Sequence, residues 1–135
     1  MSSGKSSEPA ANILIVEDEK LLQDSLSMIL KSQGYNVHVA GDGVEAIAFL
    51  KTSVPDLILL DYFMPRLSGK EFLENIDIAD YPNTKIIVTS NISDQPVVDE
   101  MLRLGAHKYV LKASLSPTDL LRMVDEALSP APPSK

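Results

Sequence analysis

Five short apolar runs alternate with five amphipathic stretches along this chain, and no other feature restricts its fold so tightly. The runs are Asn12–Val16, Tyr35–Ala40, Leu57–Leu60, Lys85–Val88 and Tyr109–Leu111. Strand and helix in strict turn, joined by short links, require a parallel sheet covered by helices on both faces. Leu57–Leu60 is apolar throughout and reads as a strand buried on both sides. Tyr35–Ala40 instead sets Val37 and Val39 against Asn36 and His38, the pattern of a short edge strand. The expected fold is α/β: a single doubly wound five-stranded parallel sheet, flavodoxin-like strand order 2-1-3-4-5, with five helices.

The helices are marked by their periodicity and their ends. Leu22, Leu26, Ile29 and Leu30 line one face of the first, and Gly34 stands where a left-handed cap is wanted. After the turn Gly41-Asp42-Gly43, Val44, Ile47, Ala48 and Leu50 form the second, ending near Thr52. The third is predicted over Lys70–Ile78, with Phe72, Leu73 and Ile76 inward. Pro96 suits the first turn of the fourth, where Val97, Met101, Leu102 and Leu104 recur before Gly105. Ser116-Pro117-Thr118-Asp119 opens the fifth with a capping serine, a proline just inside and an acid at the third position. Its buried face is Leu120, Leu121, Val124 and Leu128.

In an open parallel sheet, chemistry collects beyond the carboxyl ends of the strands. The first strand ends in Glu17-Asp18 and the third in Asp61, so the order 2-1-3-4-5 brings three carboxylates to one edge. Such a cluster repels itself unless a hard divalent cation holds it together, and magnesium fits a site of few protein oxygens. Asp61 stands apart at the end of the middle strand, placed to attack phosphorus. The fourth strand exits through the hydroxyl-rich turn Thr89-Ser90-Asn91, and the fifth ends in Lys112. A hydroxyl and an ammonium there suit the oxygens of a transferred phosphoryl group. His38 and His107 lack neighbouring ligand types and read as structural or surface residues.

Composition narrows the field further. Twelve basic against nineteen acidic side chains leave a net charge of -7, which argues against direct binding of nucleic acid. Without cysteine there is no disulfide or thiolate chemistry. No apolar stretch approaches the roughly 20 residues that span a bilayer, so no membrane insertion is expected and the cytoplasm is the default location. Residues 1–11 are Ser-rich and read as a disordered lead or a remnant of cloning, 12–128 as the domain, and 129–135 as a Pro-rich tail or linker. No DNA-binding helix pair follows Leu128, so the expectation is a stand-alone domain or a piece of a larger protein.

These marks together resemble the receiver domain of response regulators, the phospho-acceptor half of two-component signalling, in its chemotaxis-regulator-like form. The resemblance rests on Val16-Glu17-Asp18-Glu19, on Asp61-Tyr62-Phe63-Met64-Pro65 with Gly69, on Thr89-Ser90, and on Gly105-Ala106 with Tyr109-Val110-Leu111-Lys112. It implies that a partner histidine kinase or phosphotransfer protein phosphorylates Asp61. It also implies that Glu17, Asp18, Asp61 and the backbone carbonyl of Phe63 bind Mg2+, and that Lys112 pairs with the phosphoryl group. A hydroxyl and an aromatic residue, here Tyr109, would report phosphorylation to the face of the fourth helix, fifth strand and fifth helix, where a homodimer is also expected. Such a domain is not an enzyme beyond catalysing its own phosphorylation and dephosphorylation.

Two positions depart from the family's pattern. Ala113 follows Lys112 where relatives carry proline, so the bond is either trans or a cis peptide costing about 3 kcal/mol. Counting back from Gly105 favours Ser90 as the switch hydroxyl, whereas the run Ile86-Ile87-Val88 followed at once by Thr89 favours Thr89. Three other readings compete. An aspartyl-phosphate phosphatase wants a second acid two residues after the nucleophile, where this chain has Phe63. A receiver-like interaction module without phosphorylation would have no need of Glu17, Asp18, Asp61 and Lys112. A nucleotide- or flavin-binding relative wants a Gly-rich loop after the first strand, and none is there.

Overall fold

The structure is a computed structural model that describes residues 10–129, and the expected lead and Pro-rich tail fall largely outside the described residues. In chain order the main elements are β1 (Asn12–Val16), α1 (Lys20–Lys31), β2 (Asn36–Ala40), α2 (Gly43–Leu50), β3 (Leu57–Asp61), α3 (Gly69–Glu74), β4 (Lys85–Ser90), α4 (Gln95–Arg103), β5 (Lys108–Leu111) and α5 (Pro117–Leu128). The sheet is parallel, as the alternation required, and has the expected order β2-β1-β3-β4-β5. Backbone pairing continues to Ala11, whose carbonyl accepts the Asn36 N–H at 2.9 Å.

Two apolar layers hold the sheet. Ile13, Ile15, Leu57, Leu59 and Ile87 meet Leu30 of α1 and Leu120 and Val124 of α5. Their neighbours of opposite parity, Leu14, Val16, Ile58, Leu60, Ile86 and Val88, meet α2, α3 and α4 through Ala46, Phe72 and Met101. Every β3 residue is buried, which is why that strand carries no polar residue before its last. Each fully buried aliphatic chain here contributes about 1.5–3 kcal/mol. His107 closes the bottom of β4: its N–H donates to the Ile86 carbonyl at 2.7 Å, and its Nδ1 accepts the Ile86 N–H at 3.0 Å. Burial and the nearby Lys85 lower its pKa, which keeps that acceptor free.

Two predicted boundaries are corrected. The third helix stops at Glu74 rather than Ile78. Asp77 caps a separate 3-10 turn over Ile78–Asp80, and Ile78 turns to pack under Gly105. The fourth strand runs through Thr89 and Ser90, which sequence placed in a turn; flanking strands on both sides draw them into the ladder, opposite Asp61 and Leu111. The Lys112–Ala113 peptide is trans, and a single 3-10 turn over Lys112–Ser114 redirects the chain instead. The predicted capping box of α5 is present, with Ser116 and Asp119 exchanging bonds. At the amino-terminal end of the sheet, Ala10, Asp56, Lys85 and Ser129 line one open groove.

Candidate functional site

β1 and β3 are neighbours paired as far as Val16 and Leu60, so their next residues, Glu17 and Asp61, emerge side by side. Ligand oxygens of Glu17, Asp18 and Asp61 all lie within 4.8 Å of one another. Glu17 is only 2% exposed and Asp61 4%, while Asp18 faces solvent. Lys112, delivered by the end of β5, places Nζ 3.1 Å from Glu17 Oε1 and 3.1 Å from Asp61 Oδ1. The site thus sets three carboxylates against one ammonium.

The electrostatics follow from that imbalance. Burial raises the Asp61 carboxyl above its usual range; Lys112 and the Phe63 N–H oppose the shift, and Asp18 adds to it. Glu17 is raised likewise, by burial first and then by Asp61. Burial alone would lower Lys112, but the two carboxylates outweigh it and hold the ammonium protonated. A buried acidic group with surplus negative charge and hard oxygen donors fits a small divalent cation such as magnesium.

The backbone around these side chains is tied closely. The Glu17 N–H donates to the Ala40 carbonyl at 3.0 Å, and Gln23 Nε2 donates to the Glu17 carbonyl at 2.6 Å. After Asp61 the chain makes a tight excursion, with the Tyr62 N–H bonded to the Thr89 carbonyl and the Gly69 N–H returning to the Tyr62 carbonyl, both at 2.9 Å. A Cβ at position 69 would sit 2.6 Å from the Asp61 carbonyl oxygen, so only glycine closes this loop. Phe63 stands at the lip of the site, 63% exposed, with its N–H 3.4 Å from Asp61 Oδ1.

The two hydroxyls part company. Thr89 lies opposite Asp61 in the ladder and, with Glu17 and Lys112, lines an apolar cavity of about 80 Å³ beneath the site. Ser90 Oγ instead accepts the Ile92 N–H at 3.0 Å, while the Tyr109 hydroxyl donates to the Ile92 carbonyl at 2.8 Å. Sequence reading missed Gln23, Asp42 and Arg66: Asp42 and Arg66 pair across 24 positions, and Gln23 reaches back to a backbone carbonyl that no side-chain motif marks. The Asp in Gly41-Asp42-Gly43 was the one available signal, and it was legible only as a turn.

Comparison with known proteins agrees with the geometry. The family described as the response regulator receiver domain matches residues 13–125. The chain belongs to this family. Receiver domains are signalling domains of two-component response regulators. Among solved structures, a CheY-like receiver domain from Methanospirillum hungatei superposes with a TM-score of 0.82 at 31% identity, covering 88% of this chain and 94% of that one. Vibrio cholerae chemotaxis protein CheY4 gives 0.81 at 28%, covering 88% and 99%. Among curated proteins, the transcriptional regulatory protein YxjL of Bacillus subtilis is 35% identical over 85% of this chain and 53% of its own length. PdtaR of Mycobacterium tuberculosis is 34% identical over 87% and 56%. This receiver domain therefore spans about half the length of these curated relatives. No helix among the described residues is long and apolar enough to cross a membrane.

Proposed function

We propose that the chain, with Asn12–Leu128 as its folded domain, is a cytoplasmic magnesium-dependent phospho-acceptor switch. In this reading a histidine of a partner kinase or phosphotransfer protein donates its phosphoryl group to Asp61. The observation that supports it is the joint placement of Glu17, Asp18, Asp61 and Lys112 at one sheet edge. An Asp61 oxygen attacks phosphorus as the P–N bond to the donor imidazole breaks, and the imidazole keeps the bonding pair. Lys112 leaves its ion pair to face a phosphoryl oxygen, and the hydroxyl of Ser90 or Thr89 bonds another. Glu17, Asp18, Asp61 and the Phe63 carbonyl would hold magnesium, which when bound neutralises charge on the phosphoryl oxygens.

Ser90 and Tyr109 meet at Ile92, and through that meeting the state of the site would reach α4, β5 and α5, the proposed output and homodimer face. Incubation with acetyl phosphate and magnesium is expected to add one phosphoryl group, which peptide mapping finds on Asp61. Absence of label, or label elsewhere, overturns the reading.

The exposed ring of Phe63 bears on how long the signal lasts. An apolar group at the lip hinders the water that would hydrolyse the acyl phosphate. Phe63→Asn is expected to shorten the phosphoryl lifetime severalfold in a decay assay; an unchanged or longer lifetime contradicts this role.

A further inference from the structure

Arg66 is the one non-glycine residue with positive φ among the described residues, at 68°. That backbone conformation is costly for arginine and persists only where its surroundings enforce it. The Leu67 N–H closes the turn by donating to the Pro65 carbonyl at 2.7 Å across Arg66, and the side chain presented there meets Asp42. Its carboxylate Oδ2 accepts Arg66 Nε at 2.6 Å and lies 2.5 Å from a terminal guanidinium nitrogen, while Oδ1 accepts the Glu45 N–H at 2.9 Å and caps α2. Asp42 is buried, so both of its oxygens are committed to fixed partners. The two backbones also touch closely: a Cβ on Gly43 would lie 2.8 Å from the Leu67 carbonyl oxygen.

The position of this pair connects the two sides of the acidic site. Asp42 lies two residues beyond Ala40, whose carbonyl holds the Glu17 N–H. Arg66 lies in the excursion that leaves Asp61, carries Phe63 and returns at Gly69. One ion pair therefore ties the strand that supports Glu17 to the loop that presents Phe63.

We propose that Asp42 and Arg66 are positioning residues that hold the Phe63 backbone at a fixed distance from Glu17 and Asp18 and so set the affinity for the divalent cation. The proposal rests on the phospho-acceptor reading. Neither residue touches the reacting atoms; they act through the loop, as outer partners of a metal site do.

The test uses the wild type and the Arg66→Met, Arg66→Gly and Arg66→Lys variants. Glycine removes the ion pair while relieving the backbone strain, so it guards against a variant that merely fails to fold. In calorimetric magnesium titrations, both Arg66→Met and Arg66→Gly are expected to bind about tenfold more weakly, with Arg66→Lys between them and the wild type. In metal-free protein, the Phe63 and Gly69 amides are expected to exchange faster in the same order. At saturating magnesium, labelling by acetyl phosphate returns close to the wild-type rate, since the chemistry itself is untouched. Folded variants that match the wild type in magnesium affinity overturn the clamp alone. A wild type that takes up neither magnesium nor a phosphoryl group overturns the phospho-acceptor reading and the clamp with it.

Discussion

An Asp61→Asn protein is expected to take no phosphoryl group from acetyl phosphate and, in magnesium-free buffer at pH 7, to unfold at a higher temperature than the wild type. The first half follows from loss of the attacking oxygen. The second follows from the direction in which the site displaces its acids. Asp61 and Glu17 are both raised in the folded state, chiefly by burial. An acid with a raised native pKa contributes stability that is fully present below its unfolded pKa and is lost as pH rises through the native one. At pH 7 the metal-free fold therefore carries two desolvated carboxylates beside one ammonium. Asparagine keeps the shape, removes one charge and leaves Lys112 paired with Glu17 at 3.1 Å. The gain is on the order of 1 kcal/mol, or about 4 °C in a domain of this size. As pH falls from 7 toward the raised range of these two acids, the wild type gains stability while the variant changes less. Millimolar magnesium reverses the ranking, because a ligand stabilises the form that binds it. A variant less stable than the metal-free wild type would show that the Lys112 attraction outweighs desolvation.

Lys112→Met is expected to have the largest effect on stability. Methionine preserves much of the stem and removes the ammonium of a side chain that is 19% exposed and touches side chains exposed by only 3% and 5%. Breaking a buried pair by removing one partner costs about 3–5 kcal/mol, a large share of the roughly 5–15 kcal/mol that holds a domain together. Urea unfolding at pH 7 without metal measures the loss. Acidification or magnesium restores part of it, and adding Asp61→Asn to Lys112→Met restores more than independent effects would allow. A loss indifferent to pH, metal and Asp61 would mean that the lysine serves through its methylenes alone.

The sequence was informative where one local cue decided the outcome. Alternation of runs gave the parallel sheet, and the residues after the first and third runs gave the acidic edge, because strand ends in a parallel sheet share one rim. It was less informative where distant parts compete. Apolar periodicity continues through Ile76 and Ile78, yet α3 ends at Glu74 because capping by Asp77 and packing against Gly105 turn Ile78 aside. Thr89 and Ser90 have turn chemistry, but ladder bonds to β3 and β5 prevail. The pairing of Asp42 with Arg66 spans 24 positions and leaves no periodic trace.

The groove that contains both Ala10 and Ser129 lies at the opposite end of the strands from Asp61. Tethering the domain to a sensor chip or bead through either of these points would leave its acidic rim facing the liquid. Binding of a phosphodonor protein can then be timed on an oriented surface, without the support blocking the encounter.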